Sequence, residues 1–493
     1  MTLGTLVLWI GISALILTLV IGLVFKKHKS WVMTFFQNFT GILFIFSGFV
    51  KAVDPLGTAY KMEQYFAEFE STFADTWMSF IAPMFPALSN ISVVFSVIMI
   101  VFEIVLGIML ILGSRPKLTS WMFLLLVVFF TFLTGFTYLT GYVPQGVNFF
   151  DFGGWTEYVA TNMKVTDCGC FGDFLVLEPK ISFYKDLVLL LPALYFVFRY
   201  KDMHELFTTR FRTAITYVSI FGLTVFCLNN YMWNLPPVDF RPFYEGQNIR
   251  ERKELEMEAE ANVEVLAYKM TNKETGKVVE LPFDQYMKEF KSYPKEEWNL
   301  EQVRSEPEVK HTKISDFEVS NLQGEDVTET ILSNPEYSFM LVSYKLPFEI
   351  ESGTQTVRDT SWMTDTVAVE GFQDSFQIVE SFELSEPREE SVDNYKFDQY
   401  ILDRYMAVVN PLVSKAKKNN QEIFVVSAYA DPKKFEDFKA ASGTDIPFYT
   451  ADDILLKTIV RSNPGIVLLK NGEIIGKWHW RQFPGYEKAV GLQ

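Results

Sequence analysis

Apolar residues run together in the first half of the chain and alternate with polar ones in the second. Unbroken apolar stretches fall at about 5–25, 32–50, 91–113, 118–140, 181–198 and 214–233. Each approaches the roughly 20 residues that carry a helix across ~30 Å of hydrocarbon, so six membrane spans are predicted. The first is expected to be a retained span and not a cleaved signal peptide, since no positive charge precedes it and its lysines follow the apolar run. Beyond residue 233 the runs shorten. Glu251–Glu260 is charged almost throughout and predicts a solvated helix, while Val263–Lys269 and Lys277–Leu281, joined through Gly276, predict a hairpin. From about 310 an extended lead-in (Ile314–Leu322) precedes a strand at Tyr337–Tyr344 and a long acidic insertion at 347–394. A helix follows, then strand Glu422–Ala428, helix Pro432–Ala441, a short strand at Ile446–Tyr449 and helix Asp452–Val460. Strands Ile466–Leu469 and Ile474–Trp480, with Asn471-Gly472 between them, close the chain as a hairpin. The expected fold is an α-helical membrane bundle over 1–233, a connector over 234–309 and a soluble α/β domain over 310–493.

Charge sharpens this division. Residues 1–233 hold 14 Lys/Arg and 14 Asp/Glu, so the net charge of −16 lies entirely beyond them. An acidic exported half with no basic patch argues against a nucleic-acid partner. In the short loops, Lys26, Lys27 and Lys29 follow the first span. Arg115 and Lys117 follow the third, and Arg199, Lys201, Arg210 and Arg212 the fifth. All three clusters fall on one side, which the positive-inside rule makes cytoplasmic. The expected setting is therefore a bacterial inner membrane, with the N-terminus, the 51–90 and 141–180 loops and everything after 233 in the periplasm. That space is oxidising. The bilayer is the first implied partner.

Two segments carry a family likeness. Gly41–Gly57 reads Gly-Ile-Leu-Phe-Ile-Phe-Ser-Gly-Phe-Val-Lys-Ala-Val-Asp-Pro-Leu-Gly, and the third span contains Glu103-Ile-Val-Leu-Gly-Ile-Met-Leu-Ile-Leu-Gly113. Together they resemble the DoxX superfamily of four-helix membrane proteins. Asp167-Cys-Gly-Cys-Phe-Gly-Asp173 resembles its MauE-like branch, and the likeness covers about 32–200. The order of elements over 310–490 is similar to membrane-tethered, TlpA-like thioredoxin folds, with Pro464 at the usual cis-proline position. That family's Cys-x-x-Cys would fall near Ser343-Tyr344-Lys345-Leu346-Pro347, yet 228–493 holds no cysteine. A domain without the thiol pair cannot exchange disulfides itself, so it is expected to dock a periplasmic or membrane protein partner. The combination looks like DoxX-type proteins of Bacteroidota. The resemblance implies membrane-linked redox chemistry, coupled to a quinone or serving disulfide formation.

The residues leave several readings open. Cys168 and Cys170 flank one glycine in an exported loop, where a small strained ring would be easily reduced. They read as an exchange-active pair, as a structural staple or two buried thiols, or as metal ligands. The last lacks third and fourth ligands nearby, and no metal is expected. Asp167 and Asp173 disfavour a thiolate unless Lys51 or Lys164 compensates. Glu103, mid-span, must face the bundle interior, as a proton relay or quinone contact or as a helix-to-helix hydrogen bond. Lys51 and Asp54 either cap and pair locally or line a cavity mouth. Cys227 reads as a small hydrophobe. Three functions follow: a thiol redox protein, a non-enzymatic membrane scaffold or complex subunit, and a carrier of a hydrophobic ligand.

Overall fold

The computed structural model describes residues 2–491 apart from 166, 274, 359 and 369–375. It divides into two compact units, Met1–Tyr244 and Glu245–Gln493.

In the first unit, α1 (Leu3–Leu19, prolonged by a π turn to Val24), α2 (Trp31–Val53), α3 (Pro55–Ala74), α4 (Met84–Asn90), α5 (Ser92–Leu112), α6 (Pro116–Thr140), α7 (Pro179–Arg199) and α8 (Thr209–Met232) follow in order. Six of these, all but α3 and α4, are long and apolar enough to cross a membrane. The chain is a multi-pass membrane protein. The spans lie within a few residues of the predicted runs, because local signals fix their ends. Ser30 and Thr208 cap the starts of α2 and α8 by accepting backbone N–H bonds. Prolines open α6 and α7, where a missing N–H costs nothing. Gly113, at φ +65°, ends α5 in the left-handed conformation.

The second unit begins with α9 (Ile249–Ala261), then β1 (Val265–Asn272), β2 (Val278–Pro282), α10 (Phe283–Glu289) and β3 (Trp298–Arg304). The predicted hairpin is present as β1–β2, and β3 adds to the free edge of β1. Residues 245–309 fall in the same compact unit as the α/β elements. Gly246 and Ile249 donate backbone hydrogen bonds to Ile474 and Gly472 at 2.8 and 2.7 Å. The buried Glu256 carboxylate accepts from Thr312 and Ser315, which fastens α9 to the chain entering the α/β domain.

Next come α11 (Thr328–Leu332), β4 (Ser338–Ser343), β5 (Phe348–Val357), β6 (Thr360–Ala368), β7 (Phe376–Leu384), β8 (Arg388–Phe397), α12 (Gln399–Arg404) and α13 (Asn410–Lys418). They are followed by β9 (Glu422–Ser427), α14 (Pro432–Ser442), β10 (Phe448–Thr450), α15 (Asp453–Ile459), β11 (Gly465–Lys470), β12 (Glu473–His479) and α16 (Tyr486–Ala489). The main sheet runs β10-β9-β4-β11-β12, with β4, β9 and β10 parallel and β11 and β12 antiparallel to their neighbours. Every residue of β4 is buried, as a central strand covered on both faces requires. Asn471 and Gly472 take positive φ in the predicted closing turn. The acidic insertion is built of paired strands: β5 pairs with β8 and β6 with β7, both antiparallel. Its residues 359 and 369–375 lie outside the described residues.

Candidate functional site

A close helix crossing sets the site. A Cβ on Gly41 would lie 2.9 Å from the Gly107 carbonyl, and one on Gly48 would lie 2.5 Å from Ile104 Cγ1. Only glycine lets α2 and α5 approach this far. Lys51, just beyond Gly48, thereby meets Glu103, just before Ile104. Their charged atoms are 2.5 Å apart, and the two residues are 5% and 3% exposed. Lys51 therefore does not pair locally as expected from its place at a span end. Its ammonium also lies 5.2 Å from the centre of the Phe130 ring on α6. Asp54 behaves differently: it caps α3, accepting from Gly57 N at 3.1 Å.

A second pair, of a half-buried lysine and a buried aspartate, sits on α7. Ser182, Asp186 and Leu189 are spaced i, i+4 and i+7, share the buried face, and carry Lys185 with them. Lys185 and Asp186 are 2.5 Å apart, and Asp186 also accepts from the Thr134 hydroxyl of α6 at 3.0 Å. Lys185 stands 5.9 Å from the Phe171 ring centre, directly after the cysteine pair.

The cysteine loop folds over this end of the bundle. The Asp167 carboxylate accepts from Gly169 N at 3.0 Å and pairs with Lys61 of α3 at 2.8 Å. Gly169 has φ +61°, and a Cβ there would press on Lys61 Cγ at 3.1 Å; glycine is what this turn admits. The Ser47 hydroxyl of α2 donates to the Cys170 carbonyl at 2.7 Å. Both cysteines are free thiols in this structure, and both are partly buried. Burial pushes the Cys168 thiol up to about 12, and neighbouring Cys170 adds to the rise. The hydroxyls of Ser182 and Tyr65 offset a little of it. Cys170 is raised by burial as well. There Lys185 pulls it back, Asp186 opposes Lys185, Lys51 pulls it back again and Glu103 opposes that. Tyr65 is itself raised by burial and by Cys168, while it shares a 2.9 Å hydrogen bond with Thr137. Cys170 thus feels both ion pairs.

The expected cations are redistributed. Lys51 does reach the neighbourhood of Cys170, but Lys164 pairs with Glu68 at 3.1 Å. Lys61 and Lys185 serve the loop instead. Neither stood out in the sequence, because charges in a loop helix and in the first turns of a span read as ordinary interfacial residues. Asp173 is exposed in a 3-10 turn at Gly172–Phe174. Cys227 is fully buried among apolar side chains of α5 and its surroundings. Among the described residues, no three His, Cys, Asp or Glu gather as a metal set. In the second unit the Asn463–Pro464 peptide is cis. Beside it Arg404 donates to the Asn463 carbonyl, and the Asn463 amide donates to Lys345 O at 2.6 Å.

Residues 29–145 match the family model of Methylamine utilisation protein MauE. The matched segment carries Lys51, Asp54, Lys61, Tyr65, Glu103 and Thr134. It stops before Cys168, Cys170, Lys185 and Asp186. No curated protein matches the chain, and no solved structure matches it.

Proposed function

We propose that this MauE-like membrane protein is a thiol redox protein of the bacterial inner membrane. Cys168 and Cys170 cycle between dithiol and disulfide, and a membrane quinone accepts the electrons. The observation that carries this reading is the seating of Cys170 beside two Lys–carboxylate pairs: Ser47, one helical turn before Lys51, donates to its carbonyl, and Lys185 lies 5.9 Å from the ring of the next residue, Phe171. Such pairs are expensive in hydrocarbon and mark functional interiors by default. Oxidation breaks two S–H bonds, forms one S–S bond and delivers two electrons and two protons. In this reading Glu103 and Asp186 take the protons, and Lys51 and Lys185 donate to a quinone oxygen. Because burial holds both thiols protonated, electron transfer has to be accompanied by proton loss, which is the condition under which adjacent carboxylates matter. The positive-inside pattern supports a periplasmic loop and tail.

The second unit is read as a thioredoxin-like docking module. The parallel pairing of β4 with β9 and the antiparallel β11–β12 hairpin next to β4 support this. Its missing thiol pair leaves partner binding as the role. The elevated thiols also favour one alternative, a scaffold in which the pair never turns over.

Single Cys168→Ser and Cys170→Ser variants decide between them. A redox pair leaves its remaining thiol trapped in mixed disulfides, visible as higher bands on non-reducing gels. A scaffold gives no such bands in either variant.

A further inference from the structure

At the opposite end of the bundle from the cysteines, a groove of about 720 Å³ lies between the loop after α5 and the end of α7. It is lined by Lys29, Arg115, Pro116, Lys117, Leu118, Trp121, Tyr200, Lys201 and Glu205. We propose that this groove binds the phosphate headgroup of an anionic phospholipid, with the acyl chains running along α6.

Charge is the first argument. Four cations and one carboxylate line the groove, and the carboxylate is already used. Glu205 pairs with Lys29 at 3.2 Å and with Arg212 at 2.7 Å. Arg115, Lys117 and Lys201 have exposed side chains and no ion-pair partner among the described residues. Three unneutralised cations around one cavity suit a phosphate and repel one another without it. Second, the walls are apolar and half exposed: Leu118 and Trp121 are 47% and 49% exposed. These residues stand on the first turns of a membrane span, the depth at which an indole meets headgroups. A soluble anion would gain nothing from such walls, whereas a lipid uses both the cations and the apolar surface. Third, Arg115 takes the left-handed conformation, φ +45° and ψ +61°, immediately before Pro116. A non-glycine residue there is strained, and such strain persists where the surroundings hold it in place. The reading is independent of the redox proposal and of which leaflet this end faces.

The test uses full-length protein in nanodiscs of phosphatidylcholine doped with phosphatidylglycerol, with retained lipid counted by native mass spectrometry. Wild type is expected to keep phosphatidylglycerol over phosphatidylcholine by roughly tenfold or more, and Arg115→Gln/Lys117→Gln/Lys201→Gln to lose that preference. Lys201→Gln alone, on an exposed side chain, gives a partial loss if the triple variant fails to assemble. A Lys26→Gln/Lys27→Gln protein, altered on the same side but outside the groove, is expected to keep the preference. An equal loss there would reduce the effect to diffuse surface charge and overturn the site. Retention of the preference in the triple variant, or displacement of the lipid by millimolar inorganic phosphate, would also overturn it.

Discussion

Removing Glu103 should cost more than removing the pair it belongs to. Glu103 and Lys51 meet at 2.5 Å with side chains only 4% and 6% exposed, so neither charge has water to fall back on. At an effective dielectric of ~20 their attraction is roughly 7 kcal/mol, most of it spent on desolvation. Glu103→Leu keeps the desolvation cost of Lys51 and loses the compensation, an expected destabilisation of about 3–5 kcal/mol. Glu103→Gln retains hydrogen-bonding ends and is expected to fall short of that by ~1–3 kcal/mol, the cost of an unsatisfied buried partner. Lys51→Met/Glu103→Leu removes both charges and is expected to recover most of the loss. Reversible unfolding in mixed dodecylmaltoside and SDS micelles measures these proteins together with the Lys51→Met single variant, and the cycle of wild type, Lys51→Met, Glu103→Leu and their double isolates the pair. If the double variant is as unstable as the sum of the singles, the two charges do not compensate each other and the reading of the bundle core fails.

A reporter requiring an oxidising compartment is expected to work after residues 150 and 233 and to fail after 28, 116 or 205; activity at 116 would invert the membrane orientation. Residues 245–493, the whole second compact unit, are expected to leave insulin reduction by dithiothreitol at the reagent background, since they contain no cysteine. In the reduced protein, alkylation of Cys168 is expected to stay slow at neutral pH and to keep rising about tenfold per pH unit beyond 9, because only the thiolate reacts and burial pushes the thiol up to about 12. The sign for stability follows. The folded thiol keeps its proton where the unfolded one has lost it, so this contribution is full below pH 9 and is lost as pH rises from 9.0 toward about 12. An alkylation profile that levels off near the ordinary thiol value would show Cys168 open to water.

The spans were legible because hydrocarbon thickness imposes a length and a composition that few other structures share. The central sheet was legible for a similar reason: β4 and β9 are short apolar runs set between turn residues. The insertion was not, because β5 and β8 carry few apolar residues at alternate positions and their described residues are mostly exposed. Little sequence pattern marks a strand pair whose side chains mostly face water. Glu103 could be placed in the interior from its cost alone. Its partner could not, since Lys51 and Glu103 sit 52 positions apart and meet only because Gly48 lets two helices close. Lys185 and Asp186 were missed for a different reason. Charges near the beginning of a span are normally solvated, and only packing against Thr134 of α6 and Phe171 of the cysteine loop draws these two out of water.

The most direct test of the redox reading is stoichiometry. Full-length protein, reduced and freed of reductant under argon, is mixed with a soluble quinone, and loss of thiols is counted by alkylation mass spectrometry alongside quinol formation. The account predicts that one quinol forms for each Cys168–Cys170 disulfide, and that Cys227, buried and unpaired, stays alkylatable after unfolding. Quinone left unreduced, with both loop thiols intact, would contradict it.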